Sequence, residues 1–98
     1  MNEIEVQVVD NPDERRYEIR LDGVLAGSSY YRDLDGVRTV THTEVGDEFE
    51  GRGVGSRLVA GALDDMRARG LRVRPLCRFT AGYIERHPEY GDLVAKSS

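Results

Sequence analysis

Apolar and polar residues alternate through the first half of the chain. Residues 4–9 (IEVQVV) alternate and are β-rich, and the turn chemistry of "DNPDE" follows at 10–14. Alternation resumes over 16–22 (RYEIRLD), with Tyr17, Ile19 and Leu21 on one face. Gly23 permits a tight reversal into 24–32 (VLAGSSYYR). A second turn, "DLDG" (33–36), leads into 37–45 (VRTVTHTEV). Four strands joined by short turns predict an antiparallel meander.

The period then changes. Between Gly53 and Arg69, Val54, Leu58, Ala62 and Met66 recur every four residues, and Val59 and Leu63 widen the stripe. That spacing predicts an amphipathic helix over 53–69. Asp65 and Arg69 form an i,i+4 pair on its polar side, and Gly70 occupies the position of a C′ glycine. Residues 71–77 (LRVRPLC) read as a strand. Pro75 has no N–H to donate, which leaves that strand unpaired along part of one edge. Residues 79–86 (FTAGYIER) read as a short helix closed by Pro88, with His87 and Tyr90 fixing the turn after it. The strand at 37–45, the helix and the strand at 71–77 make a βαβ unit, which requires parallel strands and a right-handed crossover. The fold class expected is α/β with a mixed sheet: antiparallel strands first, then the βαβ unit and a short last helix. Ninety-eight residues without repeat or linker fit one domain.

Composition narrows the function classes. With 39% hydrophobic and 33% charged residues the chain reads as globular. No apolar run is long enough to span a membrane, and MNEIEVQVVD lacks the pattern of a secretory signal. A single cysteine, Cys77, has no intramolecular disulfide partner and no metal-ligand cluster in the sequence around it. A reducing, cytoplasmic setting is the expectation. The net charge of −4 argues against a general nucleic-acid binder. Its distribution is more informative. Residues 1–51 carry five Arg against thirteen Asp and Glu, whereas residues 52–86 carry eight Arg against three. The segment that welcomes an anion follows the glycines of "FEGRGVGSRL" (49–58), unless those arginines only solvate a helix face and a strand.

Those glycines lie where a strand hands over to a helix. Bare backbone lets a ligand approach closely, and a helix N-terminus offers unpaired N–H groups with partial positive charge. The combination is a phosphate site. A P-loop is excluded: Ser56 stands where a second glycine belongs, and no lysine occurs before Lys96. A dinucleotide fingerprint is weak, because Gly51 and Gly53 fit but the third position is again Ser56.

The stretch Glu50-Gly51-Arg52-Gly53-Val54-Gly55 resembles the [QR]xxGx[GA] loop of GCN5-related N-acetyltransferases. "HTEV" (42–45), "GRGVGSRLV" (51–59), "LDDMRARG" (63–70), "PLC" (75–77) and "HPEY" (87–90) extend the resemblance to the short, single-domain branch of that superfamily. Glu50 departs from the pattern, standing where Gln or Arg is preferred, and a carboxylate there repels phosphate. The resemblance implies that acetyl-coenzyme A is the co-substrate, with no metal. Its pyrophosphate would be held by amides of Gly51, Arg52, Gly53, Val54, Gly55 and Ser56, with Arg52 and Arg57 as charged partners. It also implies two splayed parallel strands with the pantetheine arm between them, and backbone N–H groups near Val45 meeting the thioester carbonyl. Full-size members carry helices where this chain has only "DNPDE", so the acceptor side is expected to be open and suited to an amine on a larger surface.

Acetyl transfer to an amine needs a proton acceptor, oxyanion stabilisation and a proton for the departing thiolate. His42 and Glu44 are the candidate bases; in a regular strand they share a face, roughly 6–7 Å apart. Glu44 is nearer the coenzyme end. The alternatives are a structural strand-face carboxylate for Glu44 and a satisfied polar group in the core for His42. Cys77 is a small buried hydrophobe, a thiol lining the acetyl pocket, or a nucleophile that carries the acetyl group. Tyr83 is a candidate proton donor to the thiolate, or a ring packed on the sheet. The function expected is acetyl transfer to a primary amine, either a protein lysine, an N-terminus or a polyamine. The rivals are a non-catalytic acyl-coenzyme A sensor and a protein-interaction module.

Overall fold

Two Asp-Gly pairs set the meander. Asp22 and Gly23 have φ of 49° and 82°, and Asp35 and Gly36 have 53° and 77°. Positive φ at both central positions gives the type I′ turn, whose twist matches that of the strands it joins. The computed structural model describes residues 3–96. Its single sheet has the order β1-β2-β3-β4-β5, where β1 is Val6–Asn11, β2 Arg16–Leu21, β3 Val24–Leu34, β4 Val37–Val45 and β5 Arg72–Pro75. The first four pair antiparallel, and β5 joins β4 in parallel, as the βαβ reading requires. The first strand lies two residues later than expected. Ahead of it Glu5 accepts from the Asp22 N–H and donates to the Asp22 carboxylate, closing the hairpin end by a side chain.

Helix α1 (Val54–Ala68) buries Val54, Leu58, Val59, Ala62, Leu63 and Met66, the six positions of the predicted stripe. It ends in a Schellman motif: Gly70 (φ 71°) donates to the Arg67 carbonyl, and Leu71 to that of Met66. The helix covers one face of the sheet, where Tyr17, Ile19, Val40 and Val73 complete the core. Helix α2 (Arg78–Arg86) adds Tyr83 and Ile84 to that core, and a 3₁₀ turn (Pro88–Leu93) follows it.

Two irregularities shape the site. Tyr31 pairs with Val40 but Tyr30 pairs with His42, so Thr41 is the extra residue of a bulge in β4. Alternation slips by one there. Arg38 and Val40 face the helix side before the bulge, as do Thr43 and Val45 after it, and His42 and Glu44 face the opposite side. The second irregularity is the end of β5, which stops at Pro75 rather than running to Cys77. The N–H groups of Leu76 and Cys77 both reach the Val40 carbonyl, each at 3.0 Å, and the chain leaves the sheet. From Thr41 to Val45, β4 therefore continues with no β5 neighbour.

At the far end of α1 a polar network closes the structure. The Arg38 guanidinium lies 3.9 Å over the Tyr31 ring and holds Asp33 in a bidentate pair at 2.8 Å. It also donates to Asp10 and to the Tyr17 hydroxyl. Tyr17 in turn donates to Asp65, which pairs with Arg69 at 2.9 Å as the i,i+4 spacing predicts.

Candidate active site

A cleft of about 490 Å³ opens between the end of β4 and the start of α1. Thr43, Val45, Phe49, Glu50, Gly51, Gly53, Val54, Gly55, Ser56 and Phe79 line it. Gly51 (φ 79°) and Gly53 (φ 72°) adopt the left-handed conformation, and a Cβ at either position would meet nothing within 4 Å. Gly53 is the N-cap of α1, has no side chain to cap with, and no acidic residue follows in the first turn. The first-turn amides of Val54, Gly55 and Ser56 are thus left for an external acceptor. This donor set fits a pyrophosphate. Arg52 and Arg57 are exposed beside the loop and form no ion pair among the described residues. Glu50 sits on the rim.

The exposed edge of β4 supplies the second element. Gly46 donates to the Ala26 carbonyl, which makes Val45 and Gly27 a non-hydrogen-bonded pair of the β3–β4 ladder. The N–H groups of Val45 and Thr43 therefore point away from β3, into the gap that β5 has vacated.

Cys77 borders that gap as the N-cap of α2 and is half-buried. Burial pushes its thiol up. The Thr80 and Phe79 N–H groups, with the Thr43 side chain, outweigh this, so the thiol lies below its ordinary value. No cap hydrogen bond closes to the neutral thiol. The Thr80 hydroxyl is buried, the residue being 2% exposed, and has no hydrogen-bond partner.

His42 and Glu44 lie across the strand from all of this. Both are exposed on the helix-free face, so His42 is not a core group as one reading expected; its ring stacks on Tyr30 at 6.1 Å. Glu44 borders a second hollow of about 330 Å³ with Arg16, Leu25, Ser28 and Tyr30. Val45 borders both hollows, which makes β4 the wall between them. Only a turn occupies residues 12–15 between β1 and β2, and among the described residues this face carries no helix. Tyr83 lies outside the cleft lining. Its ring stacks on His87 at 4.1 Å and tilts against Tyr90, whose hydroxyl donates to Asp64.

Sequence reasoning passed over Thr43, Phe49, Phe79 and Thr80. The chain has only two phenylalanines, and both flank the cleft. Phe79 rests on Gly55, where a Cβ would come within 2.9 Å of the ring.

Comparisons with known proteins identify the family and the fold. The model of a family described as GCN5-related N-acetyl-transferase matches residues 16–93, and the chain belongs to that family of N-acetyltransferases. Protein NATD1 of Xenopus tropicalis is 28% identical over 85 residues, covering 85% of this chain and 78% of the relative. Protein NATD1 of Gallus gallus is 29% identical over 85 residues, covering 85% and 77%. Among solved structures, a GCN5-like protein of Staphylococcus aureus superposes with a TM-score of 0.68 at 23% identity, covering 94% of this chain and 90% of its own. The ribosomal-protein-S18-alanine N-acetyltransferase of Escherichia coli gives a TM-score of 0.60 at 18% identity, covering 80% and 53%. At those identities the two structures establish the shared fold.

Proposed function

We propose that the protein transfers acetyl from acetyl-coenzyme A to a primary amine presented on a larger surface, such as a protein lysine or N-terminus, or to a polyamine. The observation that carries this reading is the junction at β4. On one side, an uncapped helix N-terminus with bare glycines opens into a gap lined by free strand amides. On the other, a carboxylate faces an uncovered hollow. Bound acetyl-coenzyme A would supply an activated acetyl thioester. The chain's own groups do the rest: the α1 amides with Arg52 and Arg57 hold phosphate, the Val45 N–H stabilises developing negative charge on the acyl oxygen, and Glu44 takes the amine proton. The absence of a helical layer over the open face favours a large acceptor. The acidic first half favours a cationic one.

The lowered thiol of Cys77 supports a second route, in which its thiolate receives the acetyl group before the amine does. Cys77→Ala separates the routes: turnover persists under direct transfer and disappears under relay. The reading as a whole is tested by thermal unfolding with and without acetyl-coenzyme A, with Gly53→Val as control. Ligand at a hundred times its Kd adds about 2.7 kcal/mol, which shifts Tm by roughly 4–8 °C per kcal/mol in a domain of this size. No shift at millimolar ligand would overturn the coenzyme site, and the transferase with it.

A further inference from the structure

The hollow on the open face carries opposite charges. Of the described residues that line it, only Arg16 and Glu44 are charged, and they come from different strands. Glu44 lies opposite Ser28, and Ser28 opposite Glu18, so these three form one row across β4, β3 and β2. Strands stand about 4.8 Å apart, which puts Glu18 about 10 Å from Glu44. The next row is Arg16, Tyr30 and His42. Arg16 is fixed in place. Its Nε and Nη2 meet Glu18 at 2.8 Å, its Nη1 donates to the Tyr30 hydroxyl at 3.2 Å, and the guanidinium lies 5.8 Å over the Tyr30 ring. Glu18 does not cancel this charge, because Arg20 shares the same carboxylate at 2.9 Å. Two guanidiniums against one carboxylate leave a positive charge on the β2 side of the hollow. Glu44, exposed on the β4 side, enters no ion pair among the described residues.

We propose that Arg16 is a specificity-determining residue of the acceptor site, which refuses an amine that carries a second positive charge close by. The proposal rests on the reading that Glu44 receives the acceptor amine in this hollow. An ammonium that reaches Glu44 has the rest of its molecule over Ser28 and Tyr30, toward the fixed guanidinium. A second cation there is repelled, in a site partly shielded from water where charges act more strongly than in bulk solvent. A neutral neighbour is accepted. An anionic one is favoured, since Arg16 spends three of its five N–H donors on Glu18 and Tyr30 and its side chain stays 20% exposed. Charge therefore acts at two ranges. The thirteen Asp and Glu of residues 1–51, against five Arg, draw an amine toward this half of the chain. Arg16 then sorts amines by what lies beside them. A lysine among neutral or acidic residues is selected over a polyamine or a basic tail.

The experiment gives the full chain acetyl-coenzyme A and three short peptides with blocked N-termini, each holding one acceptor lysine. They differ only two positions from that lysine, on the same side of an extended chain, where one has arginine, one glutamine and one glutamate. The expected order of kcat/KM is glutamate, then glutamine, then arginine, with the arginine peptide poorer than the glutamate peptide by about fivefold or more at low salt. The spread should shrink as salt is added. Arg16→Met should bring the three peptides together, while Arg16→Lys, which keeps the charge, should keep the order. Should Arg16→Met fail to fold, Arg16→Gln removes the charge and retains a hydrogen-bond donor for Glu18. Equal rates in the wild type, a preference for the arginine peptide, or an order that survives loss of the Arg16 charge would each overturn the proposal. Equal but measurable rates remove the role of Arg16 alone and leave the transferase standing. Acetylation of none of the three peptides removes the transferase reading, and this proposal with it.

Discussion

Thr43 and Glu44 are adjacent in sequence, yet strand alternation sends them to different hollows, the first to the cleft beside α1 and the second to the open face. This makes Glu44 separable from coenzyme binding. Glu44→Gln keeps the side-chain volume and removes only the proposed proton acceptor, so turnover should fall about 100-fold or more while the Tm shift with acetyl-coenzyme A is unchanged. Retained turnover would move the base away from Glu44, and loss of the Tm shift would mean that the residue holds the cleft together. Glu50 offers the opposite test. Its carboxylate lies on the rim, beside the amides proposed to hold phosphate. Glu50→Gln should therefore tighten acetyl-coenzyme A binding by about threefold to tenfold at low ionic strength, and the gain should shrink with added salt as screening takes over. Titration calorimetry at two salt concentrations reads both effects.

At the scale of elements, the position of α1 on the sheet depends on one glycine that has no unusual backbone. A Cβ on Gly61 would lie 2.7 Å from Cβ of Val8, with both Val8 methyls at 2.8 Å. A Cβ cannot rotate away, so Gly61→Ala forces the helix off β1. The helix propensity gained is about 1 kcal/mol, and overpacking costs about 1–3 kcal/mol. The net expectation is a loss of about 1 kcal/mol, read as a drop in Tm, with partial recovery when Val8→Ala is added. The stripe of α1, its glycine stop and both Asp-Gly turns were legible in the sequence because each depends only on neighbouring residues. The bulge at Thr41 was not, since it exists only in the register with Tyr30 and Tyr31. That bulge decides that Thr43 and Val45, not His42 and Glu44, face the cleft. Likewise the early end of β5 depends on two amides sharing one carbonyl across strands. Phe49 and Phe79 were hidden for a similar reason, as they come to line one cleft only when α2 folds back beside the glycine loop.

Across the whole molecule, the helices cover one face of the sheet, and the other face is held by charge. Glu18 is only 2% exposed on the helix-free face, because Arg16, Arg20 and Asn11 close over it. The Asn11 amide donates to it at 3.0 Å, and Arg16 and Arg20 reach it at 2.8 and 2.9 Å. The Asn11 amide and the two guanidiniums outweigh the cost of burial and hold the carboxyl at about 2, against an ordinary 4.5. A depressed carboxylate contributes its stability in full above the unfolded value and loses it as pH falls toward the folded one. The window is therefore pH 4.5 down to about 2, and the contribution at neutral pH is up to about 3 kcal/mol. Glu18→Gln should unfold more easily than the wild type at pH 7, and the gap should narrow through pH 4 and nearly vanish near pH 2. Urea denaturation of both proteins at three pH values measures it. A gap that stays constant with pH would assign the role of Glu18 to packing and hydrogen bonding by a neutral group. In that case the open face, where the acceptor is proposed to dock, would not depend on an ionic cluster for its shape.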